Sequence, residues 1–161
     1  SCIFILLSLF RLMKDCIFCK IIKGKTPRWV VYEDKKYLAI LDLYPNTKGM
    51  TIVIPKKHIS SYAFDMKNKE YIELLLVAKK VAKKLDKALG THRTALVLEG
   101  LEIDHVHVKL YPVHGLKKKF EKLVPDKQVK FKKYAKYIST ELGPRARKDE
   151  LERLVKKIRK V

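Results

Sequence analysis

The stretch Asp104-His105-Val106-His107-Val108-Lys109-Leu110-Tyr111-Pro112 alternates polar and apolar side chains over two full cycles. That is the period of a β-strand, whose successive side chains point to opposite faces. The pattern predicts that Val106, Val108 and Leu110 face a core while His105, His107 and Lys109 stand in a row on the other face. Alternate side chains along a strand lie roughly 6.6–7 Å apart, so two imidazoles and an ammonium share one short line. The row is either a functional array or a half-solvated strand that happens to carry two of the chain's five histidines.

The rest of the chain supplies partners for such a strand. Residues 29–32, 37–41, 50–55 and 94–98 are short apolar or β-branched runs, separated by the turn residues Glu33 to Lys36, Pro45-Asn46, Gly49 and Glu99-Gly100. Residues 103–112 make the last strand of the set. Between them, residues 65–89 repeat apolar side chains at three- and four-residue steps (Tyr71, Leu74, Leu75, Ala78, Val81, Ala82, Leu85) with lysines opposite. This is the stripe of a long amphipathic helix, and Gly90 is its natural stop. About five antiparallel strands with one long helix predict an α+β domain. Past Gly115 the composition shifts to lysine and tyrosine, Gly143-Pro144 breaks the chain, and residues 148–158 read as a basic amphipathic helix. The expected organisation is an apolar extension over 1–13, a domain over 14–115 and a basic C-terminal helical extension over 116–161.

Charge and cysteine usage narrow the setting. Lysine and arginine number 37 against 17 acidic residues, a formal net charge of +20. A field of that sign concentrates phosphates, nucleic acid or acidic membranes near the protein without selecting among them. Residues 1–13 are strongly apolar, but the run is too short to span a bilayer. It also lacks the basic start and small-residue cleavage site of a signal peptide. Met13-Lys14-Asp15 reads as a translation start, so this segment is expected either upstream of the natural start or packed on the domain, ahead of a membrane tether. Three cysteines make no disulfide framework, and Cys2 is isolated. Cys16 and Cys19 form C-x-x-C, which in a reducing compartment reads as metal or redox chemistry, or as two ordinary cysteines. A redox motif wants a preceding strand. A metal site needs two further ligands, and His58, His92, His105, His107 and His114 are the histidines available.

The histidine row permits specific chemistry. A cation at Lys109 disfavours protonation of His107 and keeps its imidazole neutral. A neutral imidazole is a competent nucleophile towards phosphorus, or a general base, and Lys109 is placed to hold a phosphate oxygen. Asp42, at a strand end before a turn, is either an acceptor for ribose hydroxyls or an amine, or a turn-capping aspartate.

Four segments taken together resemble the histidine triad (HIT) family. They are CIFCKIIKGKTP, VVYEDKKYLAILDLYPNTKGMTIVIPKKHI, the long helix and DHVHVKLYP, covering residues 14–115 in the family's order. The resemblance implies an α+β domain, a homodimer, and purine nucleotide binding with hydrolysis or transfer at the α-phosphate. By position, His107 matches the nucleophilic histidine and His105 the first histidine of the triad. Asp42 matches the acidic residue that holds the ribose, while Leu41, Ile40 and Ile22 match apolar positions around the base. Members with the same opening carry a structural zinc whose ligands match Cys16, Cys19, His58 and His105. The third histidine of the triad is Lys109 here, and the family's Gly-Gln-Ser/Thr run is replaced by Gly100-Leu101-Glu102-Ile103 after a shortened loop. The H-x-H-x-K form followed by Pro-x-His-Gly resembles a variant of the family, so Lys109 is read as a replacement that joins His107 in catalysis, and His114 either takes a role on the leaving-group side of the nucleotide site or is an ordinary loop histidine. The expected function is a hydrolase or transferase acting on a phosphoanhydride or phosphoramidate of a purine nucleotide, in the cytoplasm or also the nucleus. A nucleotide-binding protein of little turnover, or an RNA- or polyanion-binding protein, are the alternatives.

Overall fold

The long helix fixes where the sheet must lie, because one face of it is entirely apolar. In the computed structural model, which describes residues 16–120, 122 and 145–160, it runs over Asn68–Leu89 (α2) and buries Leu74, Ala78, Val81, Leu85 and Ala88. Gly90 ends it in the left-handed conformation, φ 69°, which only glycine adopts freely. The helix starts later than its periodicity suggests. Residues 63–65 form a separate 3-10 turn and Met66 is extended, so the chain enters α2 at a corner.

Five strands make one antiparallel sheet: β1 (Val30–Glu33), β2 (Tyr37–Leu41), β3 (Thr51–Pro55), β4 (Thr94–Val97) and β5 (Val108–Pro112). Their spatial order is β1-β2-β3-β5-β4. Tyr37, Ala39 and Leu41 of β2, Val53 of β3 and Val108 and Leu110 of β5 pack toward α2. Leu38, Ile40, Ile52 and Ile54 pack on the other face against Phe18 and Ile21 of a short helix, α1 (Ile17–Ile22). With both faces covered, the central strands are continuous apolar runs rather than alternating ones.

Two expectations change. The last strand begins at Val108, not at residue 103. The Asp104 carboxylate accepts the Ser60 hydroxyl (2.7 Å) and the Ser61 N–H (2.8 Å), while the Val106 N–H donates to the Ile59 carbonyl. Those bonds bend residues 102–105 away from the sheet and onto the segment after β3. Gly100, φ 61°, permits that approach, since a Cβ there would collide with the Ser61 carbonyl. The second change concerns the C-terminal helix, which is more than an attachment. Within α3 (Lys148–Arg159), Leu151, Leu154 and Ile158 are buried in the same core as α2, the i, i+3, i+7 stripe of the expected amphipathic helix. Arg159 Nε donates to the Val30 carbonyl at 2.7 Å, which guards the β1 edge, whereas β4 leaves Ala95 and Leu96 exposed. No helix among the described residues is long and apolar enough to cross a membrane. Cys2 and the apolar run 1–13 lie outside the described residues.

Candidate active site and metal centre

Helix α1 is six residues long and is held to the sheet by Phe18 and Ile21. That anchoring brings Cys16 and Cys19 to the place where the chain leaves β3, at His58, and bends before β5, at His105. The ligand atoms of these four residues all lie within 4.8 Å of one another. Cys16 Sγ is 3.5 Å from His105 Nδ1, Cys19 Sγ is 3.4 Å from His58 Nδ1, and Cys19 Sγ is 3.7 Å from His105 Nδ1. A tetrahedral zinc with bonds of about 2.3 Å to sulfur and 2.0–2.1 Å to nitrogen has sulfur–nitrogen edges of about 3.5 Å, so the donor set fits this ion. His105 Nε2 lies 2.9 Å from the Pro55 carbonyl. A carbonyl only accepts, so Nε2 carries the proton and Nδ1 presents its lone pair to the cluster. Burial holds His105 neutral, its pKa pushed down to about 4, and burial with the neighbouring Cys16 thiol raises Cys19 to about 11.

His107 is tied by the same logic. Its Nδ1 donates to the His105 carbonyl at 2.8 Å, which leaves Nε2 as the nitrogen with a lone pair. The ring is buried, 3% exposed, and burial lowers its pKa, with the Lys109 cation adding in the same direction. Phe18 stands edge-on to both imidazoles, ring centroids 5.8 Å from His105 and 5.0 Å from His107. The third residue of C-I-F-C therefore locks the two rings relative to each other, a role its apolar character in the motif only hints at.

His107 lines a cleft of about 380 Å³ together with Lys109, Asp42 and Glu102, between the apolar walls of α1 and β2. Ile40 and Leu41 are part of that wall. Ile22 packs beside it under the sheet, and His114 sits exposed elsewhere, its Nε2 donating to the Lys48 carbonyl. Asp42 is 7% exposed and accepts the Tyr44 N–H at 2.7 Å, so it caps its turn while lining the cleft. Burial raises its pKa, and that N–H and Lys109 partly oppose the rise. Lys109 is not a free cation: its Nζ pairs with Glu99 at 2.5 Å, and the two side chains are 6% and 15% exposed. Glu99 in the sequence is only half of a turn signal. Its role emerges because Val97 is the register partner of Lys109 across β4 and β5, which puts the residues just after Val97 beside the ammonium. The arrangement offers a neutral imidazole nitrogen, an apolar slot for a flat ring, a carboxylate and a neutralised lysine within one cleft.

The HIT domain family model matches residues 23–116, more than half of the chain. An uncharacterized HIT-like protein of Methanocaldococcus jannaschii is 41% identical over 102 residues, 60% of this chain and 78% of that protein. The adenosine 5′-monophosphoramidase of Schizosaccharomyces pombe is 34% identical over 103 residues, 61% of this chain and 74% of that enzyme. Among solved structures, a hypothetical histidine triad nucleotide-binding protein of Sulfolobus tokodaii aligns with a TM-score of 0.69 at 32% identity, covering 90% of each chain.

Proposed function

The chain belongs to the HIT domain family, and from that premise we propose that it hydrolyses a purine nucleotide conjugate at its α-phosphate through His107. The observation that carries the reading is the state of His107: neutral, with Nδ1 anchored and Nε2 left to the cleft that also holds Asp42. The base lies in the slot between α1 and β2, and Asp42 accepts the ribose hydroxyls. Nε2 attacks the α-phosphorus as the bond to the leaving oxygen or nitrogen breaks, and the leaving group departs with that electron pair and takes up a proton. Lys109, whose ammonium keeps N–H donors beyond its bond to Glu99, donates to the phosphoryl oxygens as charge gathers there. Water then adds to phosphorus, the nitrogen–phosphorus bond breaks, and the nucleoside monophosphate leaves with His107 restored.

Cys16, Cys19, His58 and His105 would hold a structural zinc, whose contribution is to tie α1 to the segments carrying His58 and His105. With the ion bound there, His105 would be fixed in place, and its carbonyl, which accepts the His107 Nδ1–H, orients the imidazole that carries the chemistry. Reduced thiols in such a cluster suit a cytoplasmic setting. A homodimer is supported by Ile72 and Leu76, more than half exposed on the outer side of α2, and by the open β4 edge with Leu96.

Incubation with adenosine 5′-monophosphoramidate and with diadenosine tetraphosphate tests the reading, AMP being followed by chromatography. AMP release that disappears in His107→Ala is expected. No release, or release indifferent to that substitution, contradicts it. A second reading, nucleotide binding with little turnover, draws on the Lys109–Glu99 pair, which engages the lysine that would otherwise meet the phosphate. Tight AMP binding without measurable turnover favours that one.

A further inference from the structure

At the Tyr37 end of β2, opposite the Asp42 end, the β1–β2 turn, the segment after β3 and the first turns of α2 enclose a second cavity of about 380 Å³. Lys35, Lys36, Lys56, Lys57 and Lys69 line it, against two carboxylates, Glu70 and Glu73. Three of these lysines are held in place: Lys36 on Glu73 at 2.8 Å, Lys57 on Glu70 at 2.7 Å and Lys56 on Glu33 at 2.8 Å. An ammonium has three N–H donors, and these pairs leave donors over. Lys35 and Lys69 are exposed, and no carboxylate within ion-pair distance of either is found among the described residues. The positive surface also continues past the cavity: Glu33 is approached by Arg28 at 3.8 Å, and its pKa is lowered chiefly by the Lys56 hydrogen bond, with Arg28 and Arg159 adding to it.

From this arrangement we propose that the cavity is a second binding site that takes the phosphodiester backbone of a nucleic acid strand. Separated cations around an open mouth and along a strip suit a chain bearing one charge per residue better than a single small anion. No side chain in the lining presents an exposed aromatic face or a carboxamide that would read a base, so the contacts are to backbone and indifferent to sequence. The net charge of +20 steers any polyanion inward, and the five lysines give it a place to settle. The site shares no lining residue with the His107 cleft, so it does not depend on the hydrolytic reading.

The test is fluorescence anisotropy on the full chain with labelled mixed-sequence 20-nucleotide RNA and DNA strands, across a salt series. A K35E/K69E double variant is compared with K83E/K87E, the same charge change on exposed lysines of α2 outside the cavity. Both affinities are expected to be similar for RNA and DNA and to survive saturating AMP. K35E/K69E should weaken binding at least tenfold and lower the salt slope by about 1.4, at about 0.7 per lost phosphate contact, while K83E/K87E changes affinity less than threefold. Equal loss in the two variants would mean that net charge alone acts, and would overturn the proposal. So would an unaffected K35E/K69E, displacement of the strand by AMP, or binding of inorganic polyphosphate where neither strand binds.

Discussion

Lys109 Nζ and Glu99 Oε1 lie 2.5 Å apart with both side chains largely shielded from water, so the cation that replaces the third histidine of the triad arrives already neutralised. Removing one partner of a shielded pair leaves the other unbalanced, and losses of about 3–5 kcal/mol are usual for buried pairs. Glu99→Gln keeps the shape and an acceptor, and is expected to lower stability by roughly 3 kcal/mol, the lower end of that range. AMP should then restore more stability to the variant than it adds to the wild type, because the phosphate becomes the counter-charge of Lys109. Thermal denaturation of both proteins with and without AMP measures this, and equal AMP shifts would show that Lys109 does not reach the phosphate.

Asp42 gives a pH-dependent expectation. Burial raises its pKa above the ordinary 3.8, so the folded protein keeps this proton to higher pH than the unfolded chain does. Stability therefore declines as pH rises through the interval above 3.8, and the burden of the buried charge is carried in full at neutral pH. Asp42→Asn, which can still accept the Tyr44 N–H, is expected to melt higher than wild type at pH 7, with the advantage vanishing below pH 3.8. The same variant should bind AMP about tenfold to a hundredfold more weakly, the loss of charge-assisted hydrogen bonds of about 1.5–3 kcal/mol. A lower melting temperature at pH 7 would show that attraction to Lys109 outweighs burial.

Ile158 tests whether α3 is integral. It is completely buried, and Ile158→Ala should destabilise the protein by about 2–5 kcal/mol in denaturant unfolding. A change within about 0.5 kcal/mol, as for a surface position, would make the helix a mere attachment.

How much of this was legible beforehand depends on whether the information is local. The strands, α2 and its Gly90 stop follow from period and turn chemistry, which act within a few residues. The H-x-H alternation was also local, but its meaning was not: His105 and His107 are polar because they face a covered site, not solvent. C-x-x-C named two thiols, while the nearness of His58 and His105 depends on where α1 settles on the sheet. Glu99 acquires its role only through the β4–β5 register. The amphipathic character of α3 is local too, carried by Leu151, Leu154 and Ile158, but the surface that this stripe covers, the core shared with α2, is set by tertiary packing.

The metal centre yields a stoichiometry. Elemental analysis of the purified chain is expected to find about one zinc per chain, lost in Cys19→Ser together with a drop in melting temperature, as for structural sites whose binding is coupled to folding. Absence of metal from a well-folded wild type would remove the ligand set.

Hydrolysis through His107 requires a transient bond between its Nε2 and phosphorus. Mixing the protein with an adenylyl substrate, quenching in alkaline denaturant within the first turnover and recording intact and peptide masses tests it most directly. One adenylyl group per chain, mapped to His107 and absent from His107→Ala, is the expected result. Turnover with no adduct on His107, or with the adduct on another residue, would exclude His107 as the nucleophile.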